Sequence, residues 1–183
     1  MKADAVAGMR TDDAADELRA RAGYSLSRDL DRLGDPADAL TAAREAVAVL
    51  QELLARHPDN KQWTDLEIRT LDFAGGYLDT LSAKDATLGE QASEAYQKAY
   101  DLARAAVARN PEDMSILDTS GFAAQSLTVH LATVGRNAEA ILPLKEAIAV
   151  SDRLVSANPG NQRYRYVEVG NQQSGGGRAD AEV

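Results

Sequence analysis

The chain repeats itself, and this limits what it can fold into more than any other feature of the sequence. Leu33-Gly34-Asp35-Pro36-Ala37-Asp38-Ala39-Leu40 is followed by Glu45-Ala46-Val47, Leu53 and Pro58. Val134-Gly135-Arg136-Asn137-Ala138-Glu139-Ala140-Ile141 is followed by Glu146-Ala147-Ile148, Leu154 and Pro159. Gly34 to Pro58 and Gly135 to Pro159 both span 24 residues, and the landmarks between them fall at equal offsets. A middle copy ends at Asn110-Pro111-Glu112-Asp113. It carries Ala92, Ala99, Leu102 and Ala106 where the first copy has Ala39, Ala46, Val49 and Leu53. Ser82 takes the place of the glycine there, with extra residues near Ala83 to Thr87.

Each copy reads as two helices. Pro36 suits a first helical turn behind Asp35, an N-cap candidate. Ala39, Ala43, Ala46, Val47, Leu50, Leu53 and Leu54 then recur at three- and four-residue steps, which is one face of an α-helix. His57-Pro58 ends that helix, because the residue before a proline is pushed out of the helical region. An earlier helix over about Asp13 to Leu33 places Leu18, Ala22, Leu26, Leu30 and Leu33 on one stripe, with Gly34 as terminator. The same signals predict helices near Gln62–Ser82, Leu88–Arg109, Met114–Val134 and Asn137–Ala157. A shorter capping helix is expected after Asn161, including Tyr164, Val167 and Glu168. The organisation expected is a flexible N-terminus (1–12), one helical repeat domain (13–173) and a flexible tail (174–183). Within the domain the repeats run about 13–58, 59–111 and 112–159, with a half-repeat at 160–173.

Composition narrows the chemistry. Aromatic residues make up only 5% of the 183, and alanine fills many apolar positions, which favours close helix contact over a β-sandwich. There is no cysteine, so disulfides, thiolate zinc sites and cysteine nucleophiles are excluded. The formal charge of −9 repels a phosphate backbone, so no nucleic-acid partner is expected. No apolar run approaches the roughly 18 residues of a membrane span, and residues 1–13 lack a signal-peptide core. Neither a membrane role nor export is expected, and the location expected is cytoplasmic.

The spacing of Gly34, Ala39 and Ala46, and of Gly135, Ala140 and Ala147, resembles that of the tetratricopeptide repeat (TPR) family. Leu26-Ser27 and Leu127-Thr128 are similar to its large–small pair on the first helix of a repeat. The sequence departs from the family in one way: the terminal proline arrives seven residues late, at Pro58 and Pro159 rather than near Gln51 and Asp152. The second helix is therefore about two turns longer than the family norm. In this it resembles the long repeats of some bacterial multidomain signalling proteins. The resemblance implies an all-α fold, an α-solenoid of antiparallel helix pairs with three TPR-like repeats and a short C-terminal capping helix.

Catalysis finds little support. His57 reads as a helix-end cap or a bystander, and His130 as a partly buried structural residue. Without cysteine the two form neither a zinc site nor a nucleophile constellation. Asp12, Asp13, Asp29, Asp31, Asp65, Glu67, Glu94 and Asp101 read as the solvated face of amphipathic helices rather than as paired acids. Ser174 to Gly177 lacks the flanking strand, helix and lysine of a phosphate loop. Arg163 with Tyr164-Arg165-Tyr166 reads as the start of the capping helix, and Trp63 as packing between copies. No catalytic residue, cofactor or metal is expected, and the chain is read as a non-enzyme.

The resemblance also implies where a partner would lie. Inward positions of the first helix of each repeat fall 13, 10, 6 and 3 residues before the turn glycine. They are Arg21, Tyr24, Arg28 and Asp31 in the first copy, and Arg69, Asp72, Gly76 and Asp79 in the middle one. In the third they are Phe122, Gln125, Val129 and Ala132. Arginine and tyrosine are enriched at binding hot spots. The expectation is a concave groove that grips a protein or peptide with an acidic and an apolar stretch, in a regulatory or scaffolding role. Two alternatives stay open: these residues pack against neighbouring helices, or the chain is a scaffold that forms a homodimer through an end or face.

Overall fold

The computed structural model describes residues 11–160. The first ten residues, the expected capping helix with Tyr164 and Val167, the Arg163–Tyr166 cluster and the tail from Ser174 lie outside them. Six helices account for the described chain: α1 (Thr11–Arg32), α2 (Pro36–Arg56), α3 (Lys61–Ser82), α4 (Thr87–Arg109), α5 (Met114–Thr133) and α6 (Asn137–Ala157). No strand occurs among the described residues. The fold is all-α and built of antiparallel helix pairs.

The turns follow from the residues that make them. Gly34 and Gly135 have φ of +84° and +81°, the left-handed region that glycine enters without steric cost. At the first turn Asp35 N–H donates to Leu30 O (3.0 Å) and Gly34 N–H to Asp31 O (2.9 Å). At the later one Arg136 N–H donates to Leu131 O (2.8 Å) and Gly135 N–H to Ala132 O (3.2 Å). This pair of bonds satisfies carbonyls that a helix end would leave bare. Ser82 cannot take the left-handed conformation cheaply, and the middle copy turns in another way. Ala83 stays right-handed at φ −59°, and Lys84 N–H and Asp85 N–H both donate to Leu81 O. The Asp85 carboxylate then accepts from Thr87 N–H (3.0 Å) and Oγ1–H (2.7 Å), and these bonds hold its pKa below the usual carboxylate value.

Equivalent helix ends have equivalent backbones. His57, before Pro58, has φ −135° and ψ 70°, and Asn158, before Pro159, has φ −144° and ψ 71°. Asp35 caps α2 through Asp38 N–H as its sequence suggests, whereas Arg136 gives α6 no side-chain cap. Instead, Arg136 binds Glu139 through two bonds (2.8 and 2.7 Å), which lower the Glu139 pKa.

The chain forms two compact units that divide inside α4, between Ala95 and Tyr96. In the first unit small residues set the distance between α1 and α2. Ala20 and Ala46 are buried, and a Cβ placed on Gly23 would lie 3.1 Å from Ala46 Cβ. Ala39, Leu40 and Ala43 of α2 pack with Ala74, Tyr77 and Leu78 of α3 and with Ala92 at the start of α4. Trp63 and Leu66 close the other end against Ala20, Val49, Leu50 and Leu53, so Trp63 is a packing residue between copies.

Three sequence readings need correction in this unit, the first being that Asp13 and Glu67, read as solvated acids, are buried at 1% and 5% exposure. The α1 stripe does not face the core: Leu18, Leu26 and Leu33 are 70%, 52% and 82% exposed, and of that stripe only Leu30 packs inward. The buried face of α1 is instead Asp13, Ala20 and Ser27, because α2 approaches too closely for leucines to fit between. His57 is no bystander either. Half-buried, it bonds the buried Asp13 and sets its ring edge-on to Trp63, centroids 5.4 Å apart.

In the second unit Tyr96 and Tyr100 of α4 pack with Ala124, Leu127 and Leu131 of α5 and with Ala140 and Ala147 of α6. Gly121 faces Val150, with a notional Cβ 3.0 Å from its Cγ1. His130 is buried beside the Tyr96 ring (5.0 Å). Tyr100 O–H donates to Glu146 Oε2 at 2.6 Å, and Arg104 pairs with the same carboxylate at 3.3 Å. Pro143 lies inside α6, with its ring buried.

Candidate partner-binding face

The α1 and α3 helices of the first unit bring a cation and three aromatic rings together. α1 carries Tyr24 and Arg28 one turn apart, so both project from one side. α3 brings Phe73 against them: its ring centroid is 5.9 Å from Tyr24 and 6.4 Å from Tyr77, nearly parallel to the latter at 19°. The Arg28 guanidinium carbon sits 5.6 Å from the Tyr24 centroid and 5.3 Å from that of Phe73. Within about 6 Å a ring face attracts a cation. Arg28 is therefore held in place by two rings while still half-exposed. Burial raises the pKa of the Tyr77 phenol, which stays neutral at the floor of this cluster.

The other anticipated residues of this unit fall into separate environments. Arg21 is exposed and bonds Glu17 (2.8 Å) and Gln62 Oε1 (3.5 Å), which ties α1 to the start of α3. Asp31 is exposed at the end of α1, and Arg69 is half-buried against Asp65 at 3.0 Å. Asp79 is half-buried, and its carbonyl accepts from Ser82 Oγ–H. Asp72 is only 4% exposed and lies inside the fold, so it offers nothing to a surface ligand. The second unit places Phe122 and Gln125 half-buried on α5, with Val129 60% exposed.

Sequence reasoning missed Phe73. Counting inward positions from the turn steps from Gly76 to Asp72 and passes over Phe73 between them. Only the α1–α3 approach shows that it completes the Arg28 site. Among the described residues no three His, Asp or Glu side chains converge to hold a metal ion. None of the described helices is long and apolar enough to cross a membrane.

Turn glycines, small residues at the α1–α2 contact and a second helix ending at a proline recur in the first and third pairs. In these features the helix pairs resemble tetratricopeptide repeats. No family model matches the chain. No curated protein matches it either. Among solved structures it is similar to a thermophilic TPR protein in Thermus thermophilus, at 18% identity over 84% of this chain and 99% of that one, with a TM-score of 0.18.

Proposed function

We propose that the chain is a non-enzymatic interaction module that binds a protein or peptide on the α1–α3 face of its first unit. The observation that carries the reading is Arg28 lying across Tyr24 and Phe73. A guanidinium held by two rings has lost little more freedom when it meets a carboxylate, and it keeps its donors free for bidentate contact. The rings beside it offer apolar area at low entropic cost. A ligand that uses both carries an acidic residue next to an aliphatic or aromatic one. Arg21 extends the positive edge along α1, and Asp31 bounds it. The role that suits such a face is regulatory or scaffolding.

Selection of displayed random peptides on the immobilised chain tests this. Enriched peptides should pair Asp or Glu with a large apolar residue, and Tyr24→Ala and Arg28→Ala should each weaken them about tenfold or more while circular dichroism stays unchanged. Enriched peptides that bind both variants as tightly as the parent chain would remove this face from consideration.

A further inference from the structure

We infer that the outward face of α1 is a self-association surface, pairing antiparallel with α1 of a second copy of this chain. This does not rest on the peptide-binding reading, since it uses the opposite side of the helix. Ala15, Leu18, Ala22 and Leu26, with Leu33 just past the helix end, line that side, and all five are exposed. A contiguous leucine ridge facing water marks an interaction site more often than a bare surface does.

The first unit itself shows what this face is shaped to receive. Counted from the turn positions Gly34 and Ser82, Leu18, Ala22 and Leu26 of α1 correspond to Leu66, Thr70 and Ala74 of α3. All three α3 residues are buried. α2 covers the outer two: Leu66 packs with Val49, Leu50 and Leu53, and Ala74 with Ala39, Leu40 and Ala43. The same side of α1 has a large residue at the first position and a small one at the second, as α3 does, and no helix of the described chain upon it.

The register of α1 identifies the occupant. Small residues stand seven apart at Ala15 and Ala22, and large ones seven apart at Leu26 and Leu33. Two copies of α1 laid antiparallel, with the two-fold axis level with Tyr24, set Ala22 opposite Leu26 of the second copy and Ala15 opposite its Leu33. Each leucine thus enters the gap left by an alanine, as antiparallel helices require for close approach. The same register sets Arg19 opposite Asp29 of the second copy, twice by symmetry. Both charges are available for that pairing. Arg19 reaches Asp16 only at 3.7 Å, and the Asp29–Arg32 pair is mostly exposed on both sides. A parallel pairing would instead oppose Arg19 to Arg19 and Asp29 to Asp29.

One helix face buries less than a standard interface, so a reversible dimer with a dissociation constant on the order of tens of micromolar is expected. Sedimentation of the full chain should show its average mass rising from one copy toward two across that range. Leu26→Glu, an exposed position whose change leaves the fold intact by circular dichroism, should hold the chain at one copy. Arg19→Asp alone and Asp29→Arg alone should each weaken association about fivefold, and the two together should restore it. Because the chain has no cysteine, an oxidised mixture of Ala22→Cys and Leu26→Cys chains should yield the mixed disulfide in preference to either homodimer. A chain that stays at one copy up to about 1 mM would overturn the inference and assign the ridge to a helix of another protein. Association that survives Leu26→Glu, or a charge swap that fails to restore it, would overturn it equally.

Discussion

The carboxylate of Asp13 lies 2.9 Å from Nε2 of His57, 44 residues further along the chain. Its other oxygen accepts from Arg56 at 3.0 Å, and Arg56 also reaches Asp16 at 3.1 Å. The start of α1 is thereby fastened to the end of α2. Asp13 is only 1% exposed, so its carboxyl group relies on partners within the fold, Arg56 and His57 among them, rather than on water. Asp13→Ala is expected to lower unfolding free energy by about 1.5–3 kcal/mol, the range for charged hydrogen bonds. Urea denaturation measures it, and a loss below about 0.5 kcal/mol would mean that the linkage adds nothing to the packing around it.

At Gly23 α1 and α2 approach closely, with Ala46 Cβ 3.1 Å and Ala42 O 3.3 Å from a notional Cβ. A large side chain there must push the helices apart. Gly23→Leu is expected to cost about 1–3 kcal/mol despite the better helix propensity of leucine. An unchanged thermal midpoint would show that α2 can slide away freely.

Pro143 interrupts the hydrogen-bond ladder of α6, and the matching position of α2 is Ala42. Interior proline costs a helix about 3 kcal/mol, only part of which the packing of its buried ring returns. Pro143→Ala should therefore stabilise the chain by about 1–2 kcal/mol, read as a higher midpoint in a calorimetric scan. A lower midpoint would mean that the ring fills space alanine leaves empty.

Tyr100 should make stability fall at alkaline pH. Burial, and then the hydrogen bond to Glu146, raise its phenol well above the ordinary value of 10.0. The folded chain therefore holds this proton more tightly than the unfolded chain does. Its contribution is intact below pH 10 and is lost as pH rises from there toward the higher folded value. Between about pH 10 and 12 the parent chain should lose stability more steeply than Tyr100→Phe, which has no phenol to titrate. Parallel curves would refute the assignment.

Helix positions, turn glycines and small-residue contacts were legible because backbone geometry dictates them. Only glycine turns cheaply at Gly34, and only small residues fit where Ala46 meets α1. The side of α1 that faces the core was not legible. Its leucine stripe has better helical periodicity than Asp13, Ala20 and Ser27, yet the close approach of α2 selects the latter set. Periodicity locates an apolar face without saying which neighbour covers it. Phe73 escaped for a related reason, since its contact with Arg28 joins helices far apart in sequence. Asp13 read as one more solvated acid because nothing in its neighbourhood in the sequence announces Arg56 and His57.

The turn between α3 and α4 reverses direction without any left-handed residue, through Ala83 to Ala86, which are all exposed. The other two hairpins hang on a single glycine whose replacement strains the backbone. Here conformational demand is spread over several ordinary residues, and closing a longer loop adds entropy cost only slowly. Among the described hairpins this is the one that needs no left-handed residue, so its length can drift or foreign sequence can enter it, provided an acceptor such as Asp85 still meets Thr87 at the start of α4.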